Sequence, residues 1–440
     1  MRLVSAAHAA LREGYSAMIK VLGGVWALLL GMTLIMIGNG MQATLMGVRG
    51  GIEGFGTLQL SLITSAYFLG FLVGSRTTPD LIRRVGHVRV FAALGSFISA
   101  GLIAFPVLTD PYSWTVIRVI LGFCLSGVYV TAESWLNNAA DNTTRGKILS
   151  AYMIAQTSGM IAAQGLMNLG DASGFFLFVI PSILVSLSFA PILLSATPTP
   201  AFETDKPMTL LRLYHSSPLA FVAMLLLGGV FAAQFGMASV YGAEAGLSVA
   251  QISGFIAAIF TGSMVLQVPI GWLSDRMDRR WLILGVSLVG ALSTGVGAFL
   301  GVDFRTLLVL GFIMGGMALP LYSLLIAYTN DFLAVEDMAA ASGGLVFVYG
   351  VGAIFGPLAV GQMMDMIGPE GFWVFLSATF AATVLYAGWR MTRRPSVPVD
   401  ETGAYLGVTP TASPVAVAAA QDWYVETAES EEADQDPPRT

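Results

Sequence analysis

Arg118 is the residue hardest to explain without a function. It stands in an apolar run, about five residues from one end, and Gly122 follows it. A guanidinium at the centre of a membrane helix costs at least ~2.5–3.5 kcal/mol, so such a residue faces a cavity or a partner. There it clamps an anion or tunes the proton affinity of a neighbour. The alternative is an arginine that snorkels to the outer headgroups or bonds backbone carbonyls. A depth of roughly 7–8 Å, at 1.5 Å per residue, leaves both open. Uncharged polar groups accompany it. Asn39 and Gln42 are three apart and share a helix face. Gln156, Gln164, Gln234, Gln267, Tyr322, Ser323 and Tyr349 punctuate other apolar runs. Asn39, Gln42, Arg118, Gln156, Gln234, Tyr322 and Tyr349 are the candidate contacts to a small polar or anionic solute. Bonding between helices, at about 0.6 kcal/mol each, is the other use of such groups.

A second set lies at the ends of the apolar runs: Arg84, Glu133, Asp275, Arg276 and Asp278, with Asp331 nearby in topology. Arginine forks carboxylates and helix C-terminal carbonyls well. Contacts such as Arg84 with Glu133 therefore suit a latch that holds in one conformation and breaks in another. Ordinary anchoring on the wet side of the membrane, with solvated ion pairs of little worth, is the plainer reading. No carboxylate falls at a predicted midplane, and Glu133 is about 22 Å from Arg118 along one helix, too far to touch. His8, His87 and His215 fall outside the apolar runs and share no metal-ligand spacing with Cys124. No metal, cofactor or enzymatic activity is expected, and no phosphate-binding loop points to ATP-driven work.

The elements that position these residues are membrane helices. The chain is 55% hydrophobic and 11% charged, against about 25% charged in soluble domains, and its mean hydropathy is +0.75. Runs of about 20 apolar residues cross a bilayer as helices. Twelve are predicted: 21–45, 57–75, 88–108, 113–136, 148–169 and 175–194, then 218–240, 252–273, 281–300, 307–328, 338–364 and 372–391. The two sets repeat each other. Gly54, Gln59, Ser61 and Gly70 are matched without a gap by Gly246, Gln251, Ser253 and Gly262, and Arg83 to His87 fall opposite Asp275 to Arg279. Of the Lys and Arg residues, all but Arg49, Arg305 and Arg118 fall on one side if the N-terminus is cytoplasmic, so both termini are expected there. Met and Phe are plentiful, and lipid-facing side chains account for them. The formal charge of −6 belongs to the tail: Arg439 is the one basic residue among the many carboxylates of residues 400–440.

The segment Gly271-Trp272-Leu273-Ser274-Asp275-Arg276-Met277-Asp278-Arg279-Arg280 resembles the loop signature of the major facilitator superfamily, Gly-x-x-x-Asp-Arg-x-(Gly/Asp)-Arg-Arg. The first-half copy departs from it, with Arg83 in place of the acid and Pro79 in place of the leading glycine. Ile82 to Gly86, Ala132-Glu133-Ser134-Trp135-Leu136 and Thr144 to Leu149 resemble a poorly characterised bacterial branch, the YcaD-like transporters. Arg118 with Gly122 resembles the Arg-x-x-x-Gly motif of proton-linked members. Gln164 stands where drug exporters carry the proline of a Gly-Pro motif.

The resemblance implies an all-α membrane fold of twelve transmembrane helices in two pseudo-symmetric six-helix bundles. The expected layout is a cytoplasmic segment 1–20, a bundle 21–195, a linker 196–217 rich in proline, a second bundle 218–392 and a disordered acidic tail 393–440. The expected function is secondary transport of a small polar or anionic solute across the inner membrane by rocker-switch alternating access, with proton coupling implied by the resemblance. A drug or metabolite efflux antiporter, or a transporter-fold sensor, are the rivals. Expected partners are that solute, a proton and the lipid bilayer; no nucleic acid is expected, and the chain is expected to be a monomer.

Overall fold

The computed structural model describes residues 2–139, 144–193, 208–299 and 303–398, and beyond them Thr402, Gly403, Tyr405, Gly407 and Val408. The first half contains α1 (Arg2–Ile52), α2 (Thr57–Val85), α3 (His87–Ala104), α4 (Pro111–Ala139), α5 (Arg145–Leu166) and α6 (Phe176–Leu193). A short α7 (Leu210–Ser216) leads into the second half. There α8 (Pro218–Ala232), a π turn (Ala233–Met237) and α9 (Ala238–Glu244) form one pass. It is followed by α10 (Val249–Ser274), α11 (Arg279–Phe299), α12 (Phe304–Asn330), α13 (Val335–Ile367) and α14 (Glu370–Met391). Ten of the described helical segments are long and apolar enough to cross a membrane; α5 and α6 complete the six-helix pattern of the first half. The first predicted run proves to be part of one helix that starts at Arg2. The predicted linker falls largely outside the described residues. Its end is α7, capped by Thr209 and tied to α13 by an Arg212–Asp337 ion pair of 2.6 Å.

The two halves share one packing plan. In the first, α1 packs on α5 and α6, α2 on α4, and α3 on α4 and α6; the same neighbours recur among α8, α10, α11, α12, α13 and α14. The repeated residues explain why. Gly54 and Gly246 both take positive φ, 78° and 72°, which a side chain would resist. The backbone N–H of Gly56 donates to Gln59 Oε1, and that of Ser248 to Gln251 Oε1, each at 2.9 Å, closing the first turns of α2 and α10. Where α2 crosses α4, a Cβ on Gly70 would collide with the Val119 carbonyl and one on Gly122 with the Tyr67 carbonyl. Gly262 and Gly315 repeat that reciprocal contact between α10 and α12. Small residues let the backbones meet, and in lipid that packing stands in for a hydrophobic driving force.

The halves meet along α2 with α13, α5 with α10, and α1 with α9. On the side of the short loops the seam is closed. A Cβ on Gly47 would strike Ser239, one on Gly361 would strike Ser61, and Thr57 donates to Glu244. On the side of the basic turns, α5 and α10 diverge around a vestibule of about 320 Å³.

Candidate functional site

At mid-depth on the seam lies a cavity of about 50 Å³ lined by α1, α4, α5, the π-turn pass, α10 and α12. Its polar wall is Asn39, Gln156, Thr157, Gln234, Ser263 and Tyr129. Its apolar wall includes Phe231, Phe235, Phe260 and Met160. None of the lining side chains is charged. Thr157, Ser263 and Leu319 also line the larger vestibule, so the two spaces adjoin. Gln234 and Phe235 sit in the π turn, where the changed register turns extra side chains inward; such turns favour functional sites.

Among the described residues several buried polar atoms have no hydrogen-bond partner: Asn39 Oδ1 in this wall, Gln42 Nε2, and the hydroxyls of Tyr322 and Tyr349. The Asn39 amide itself lies beside the hydroxyls of Tyr67 and Tyr129. A buried polar atom without a partner is destabilising, and a solute or water relieves it.

The structure thus brings Asn39, Gln156 and Gln234 together on one wall. Gln42 and Arg118 stand behind it. Arg118 is 1% exposed; its Nη1 donates to Gln42 Oε1 at 2.6 Å, its Nε to the Ile63 carbonyl at 3.4 Å, and its guanidinium lies 4.4 Å from the centre of the Tyr67 ring. It neither snorkels nor touches the cavity. Tyr322 and Tyr349 pack edge to face, 5.0 Å apart. Tyr349 borders a second cavity of about 30 Å³, and Phe231 and Phe235 partition the two spaces. Gln164 accepts from Thr44 and joins α5 to α1.

Lipid exposure does not account for the aromatics at the seam. Phe235 stacks on Tyr67 (5.6 Å) and on Phe231 (5.8 Å), and Phe231 reaches Tyr349 (5.9 Å). One signal was available in the sequence. Counted by the repeat, Phe231 and Gln234 occupy the places of Asn39 and Gln42. Counted from the paired Gly122 and Gly315, Arg118 corresponds to Gly311, so the buried cation belongs to the first half alone.

The latch residues divide differently from the expectation. Arg84 is exposed at the end of α2, whereas Glu133 is fully buried in α4 and accepts from the Tyr152 hydroxyl at 3.1 Å; no ion pair joins them among the described residues. Burial fixes Glu133 on the inner face of its helix, out of reach of the solvent-facing turn. Arg276 lies over the Trp272 ring and bonds the Trp272 carbonyl. Asp278 pairs with Arg280 at 2.7 Å; burial opposes ionisation, but the Arg280 contacts prevail and hold its carboxyl below the usual range.

The true centre of the second-half cluster is Arg279, 2% exposed, which bonds Asp331, the Ala327 carbonyl and Ser274 and lies 3.9 Å from Asp275. Burial pushes the Asp331 carboxyl up despite that arginine. The repeat places His87 opposite Arg279, and His87 is likewise buried, 3.0 Å from Ser134 Oγ. A basic residue in a positive turn reads as an anchor, which hid both.

Most of the expected tail lies outside the described residues; of those that are described, Tyr405 and Gly407 line the vestibule and Val408 is buried.

Comparison with known proteins agrees with this architecture. The family model of the Major Facilitator Superfamily matches residues 28–261 and 219–418. A relative from Salmonella enteritidis PT4, named an uncharacterized MFS-type transporter YcaD, is 26% identical over 346 residues, covering 78% of this chain and 89% of the relative. Its namesake in Escherichia fergusonii is 25% identical over the same length. Among solved structures, the nucleoside transporter NupG superposes with a TM-score of 0.68 at 16% identity, covering 83% of this chain and 98% of that one. A bacterial homolog of the human lysosomal transporter Spinster, inward-facing and unoccupied, gives 0.64 at 13% identity, covering 91% and 97%. With one family model spanning both halves and the repeat that relates them, the chain belongs to the Major Facilitator Superfamily of membrane transporters.

Proposed function

We propose that this chain is a secondary transporter that carries a small, uncharged polar solute with a flat or apolar face. Its two bundles would rock about the seam cavity, with the basic turns and both termini in the cytoplasm. One observation carries the reading: a mid-depth cavity faced by the amides of Asn39, Gln156 and Gln234 and the rings of Phe231, Phe235 and Phe260, with no charged side chain in its lining. Amides satisfy donors and acceptors alike, and rings take a flat face.

The expectation of an anionic solute rested on Arg118. Its guanidinium is committed to Gln42, Ile63 and Tyr67, and among the described residues no cation lines the cavity to meet an anion. At about 50 Å³ the cavity is smaller than most solutes, as suits a state between occupied ones. Among the described residues Glu133 is the one acid that is fully buried. Its contact with Tyr152, one turn from Gln156, supports it as the group that would take up a coupling proton.

The test is a thermal-shift screen of the purified protein against uncharged polar metabolites and, separately, carboxylates, followed by uptake of any stabilising compound into proteoliposomes. An uncharged solute should raise Tm of the parent, lose that effect in Gln234→Leu, and be accumulated. Hits confined to carboxylates and abolished by Arg118→Ala would overturn the assignment.

A further inference from the structure

The vestibule on the basic side holds part of the chain's own tail. Gly403 offers its carbonyl to Arg279 and its N–H to Asp331 (3.3 Å). The N–H of Tyr405 donates to Asp275 at 2.7 Å, and its hydroxyl reaches the Pro320 carbonyl at 3.4 Å. Val408 and Ser323 bond twice: the Val408 N–H donates to Ser323 Oγ (2.9 Å), and that hydroxyl donates to the Val408 carbonyl (3.0 Å). Gly407 is wedged between the halves, because a Cβ there would lie 2.8 Å from Gln267 Nε2 on α10 and 3.3 Å from Met153 Cε on α5. The Tyr405 ring packs over Gly271, where a Cβ would strike it.

Three features make this a site and not a chance contact. The backbones of Gly403, Tyr405 and Val408 each bond groups of the second half, and backbone bonding of this kind is how a groove reads a peptide. Small residues, Gly271 on the helix and Gly407 on the tail, stand where any side chain would collide. The groups engaged are also those that matter elsewhere: Asp275, Arg279 and Asp331 form the turn cluster, and Gln267 borders the vestibule that adjoins the seam cavity.

We infer that the vestibule between α5 and α10 is a peptide-binding site whose ligand is the chain's own tail, held through Gly403, Tyr405, Gly407 and Val408, and that its occupancy blocks the route from the basic side to the seam cavity. The tail bonds the second half and abuts the first through Gly407, so its departure is required before α5 and α10 can close on each other. Peptide binding there is distinct from solute transport, and the test needs no solute.

Purified protein in nanodiscs, with Cys124→Ser and Met153→Cys, is reacted with a water-soluble maleimide. Truncation after Pro395 should speed labelling of position 153 about tenfold, the change that a 10:1 bias toward the docked segment implies. Tyr405→Ala with Val408→Ala in the full chain should do the same, which guards against a misfolded truncation. A synthetic peptide spanning 400–410, added to the truncated protein, should restore slow labelling, and a scrambled one should not. Equal rates in full and truncated chains would overturn the proposal, as would a faster truncated chain that the peptide fails to slow.

Discussion

Arg118 on α4 and Gln42 on α1 are joined by a 2.6 Å hydrogen bond just behind the cavity wall. The bond commits a buried intramembrane cation to architecture. It orients the Gln42 amide, whose Nε2 has no partner among the described residues. Gln42 and Gln234 hold matching places in the repeat, but only Gln42 has a guanidinium to fix it; Gln234 instead donates to the Met314 carbonyl at 3.4 Å.

Arg118 and Gln42 should therefore lose stability together. Arg118→Ala removes a charge-assisted bond worth about 1.5–3 kcal/mol, and Gln42→Leu should lower Tm by a similar route. The double variant should fall well short of the sum, with a coupling of about 1–3 kcal/mol. Arg118→Lys keeps the charge but not the fork and should recover little of the loss. Thermal unfolding in one detergent compares the four variants with the parent; strictly additive effects would mean that the two side chains act independently.

Gly47 should govern closure of the loop side. A Cβ there would meet Ser239 and the backbone of α9. Gly47→Val should prevent the seam from closing and raise the reactivity of a cysteine placed at Ala43 toward reagent from that side, roughly tenfold or more. Gly165→Ala, at a position with open space around it, should change nothing.

Gln234 and Gln156 should separate binding from folding. Each forms part of the polar wall, and losing a hydrogen bond to an uncharged group weakens affinity by about 0.5–1.5 kcal/mol. Gln234→Leu and Gln156→Leu should therefore raise KM or Kd by about twofold to tenfold while Tm moves by only a few degrees. Phe235→Ala should instead merge the two small cavities and broaden the range of solutes accepted.

The Asp331 carboxyl gives a pH signature. Burial raises it above its ordinary 3.8, so the folded state holds this proton more tightly than the unfolded chain does. The corresponding stability is present below that ordinary value and is lost as pH rises through the raised one. The Tm of the parent relative to Asp331→Asn should fall across that window. A difference that grows with rising pH would show the Arg279 ion pair outweighing burial.

Much of the architecture was legible because it depends on length and spacing. Apolar runs reveal membrane helices, and the repeat from Gly54 to Gly246 survives because the same loop, cap and helix crossing are built twice. The site was half legible. Asn39, Gln156 and Gln234 stood out as polar residues in apolar runs. Phe231 and Phe235 did not, because an aromatic side chain in a membrane helix has the same composition whether it meets lipid or a cavity. The π turn that redirects Phe235 has no sequence signature. Arg279 was hidden among neighbouring arginines, and only packing shows which of Arg276, Arg279 and Arg280 goes inside. The contacts of Gly403, Tyr405 and Val408 were illegible for a related reason: their bonds use mainly backbone groups, which every sequence possesses.

The rings that meet at the seam have a mechanical consequence. Tyr67 and Phe68 belong to one bundle, and Phe231, Phe235 and Tyr349 to the other. Sliding such faces past one another exchanges one dispersive contact for another and sacrifices no directional bond. The centre of the molecule then behaves as a greased bearing. Resistance to turnover is concentrated at the rims, where Thr57 holds Glu244 on one side and Gly407 stands between α5 and α10 on the other.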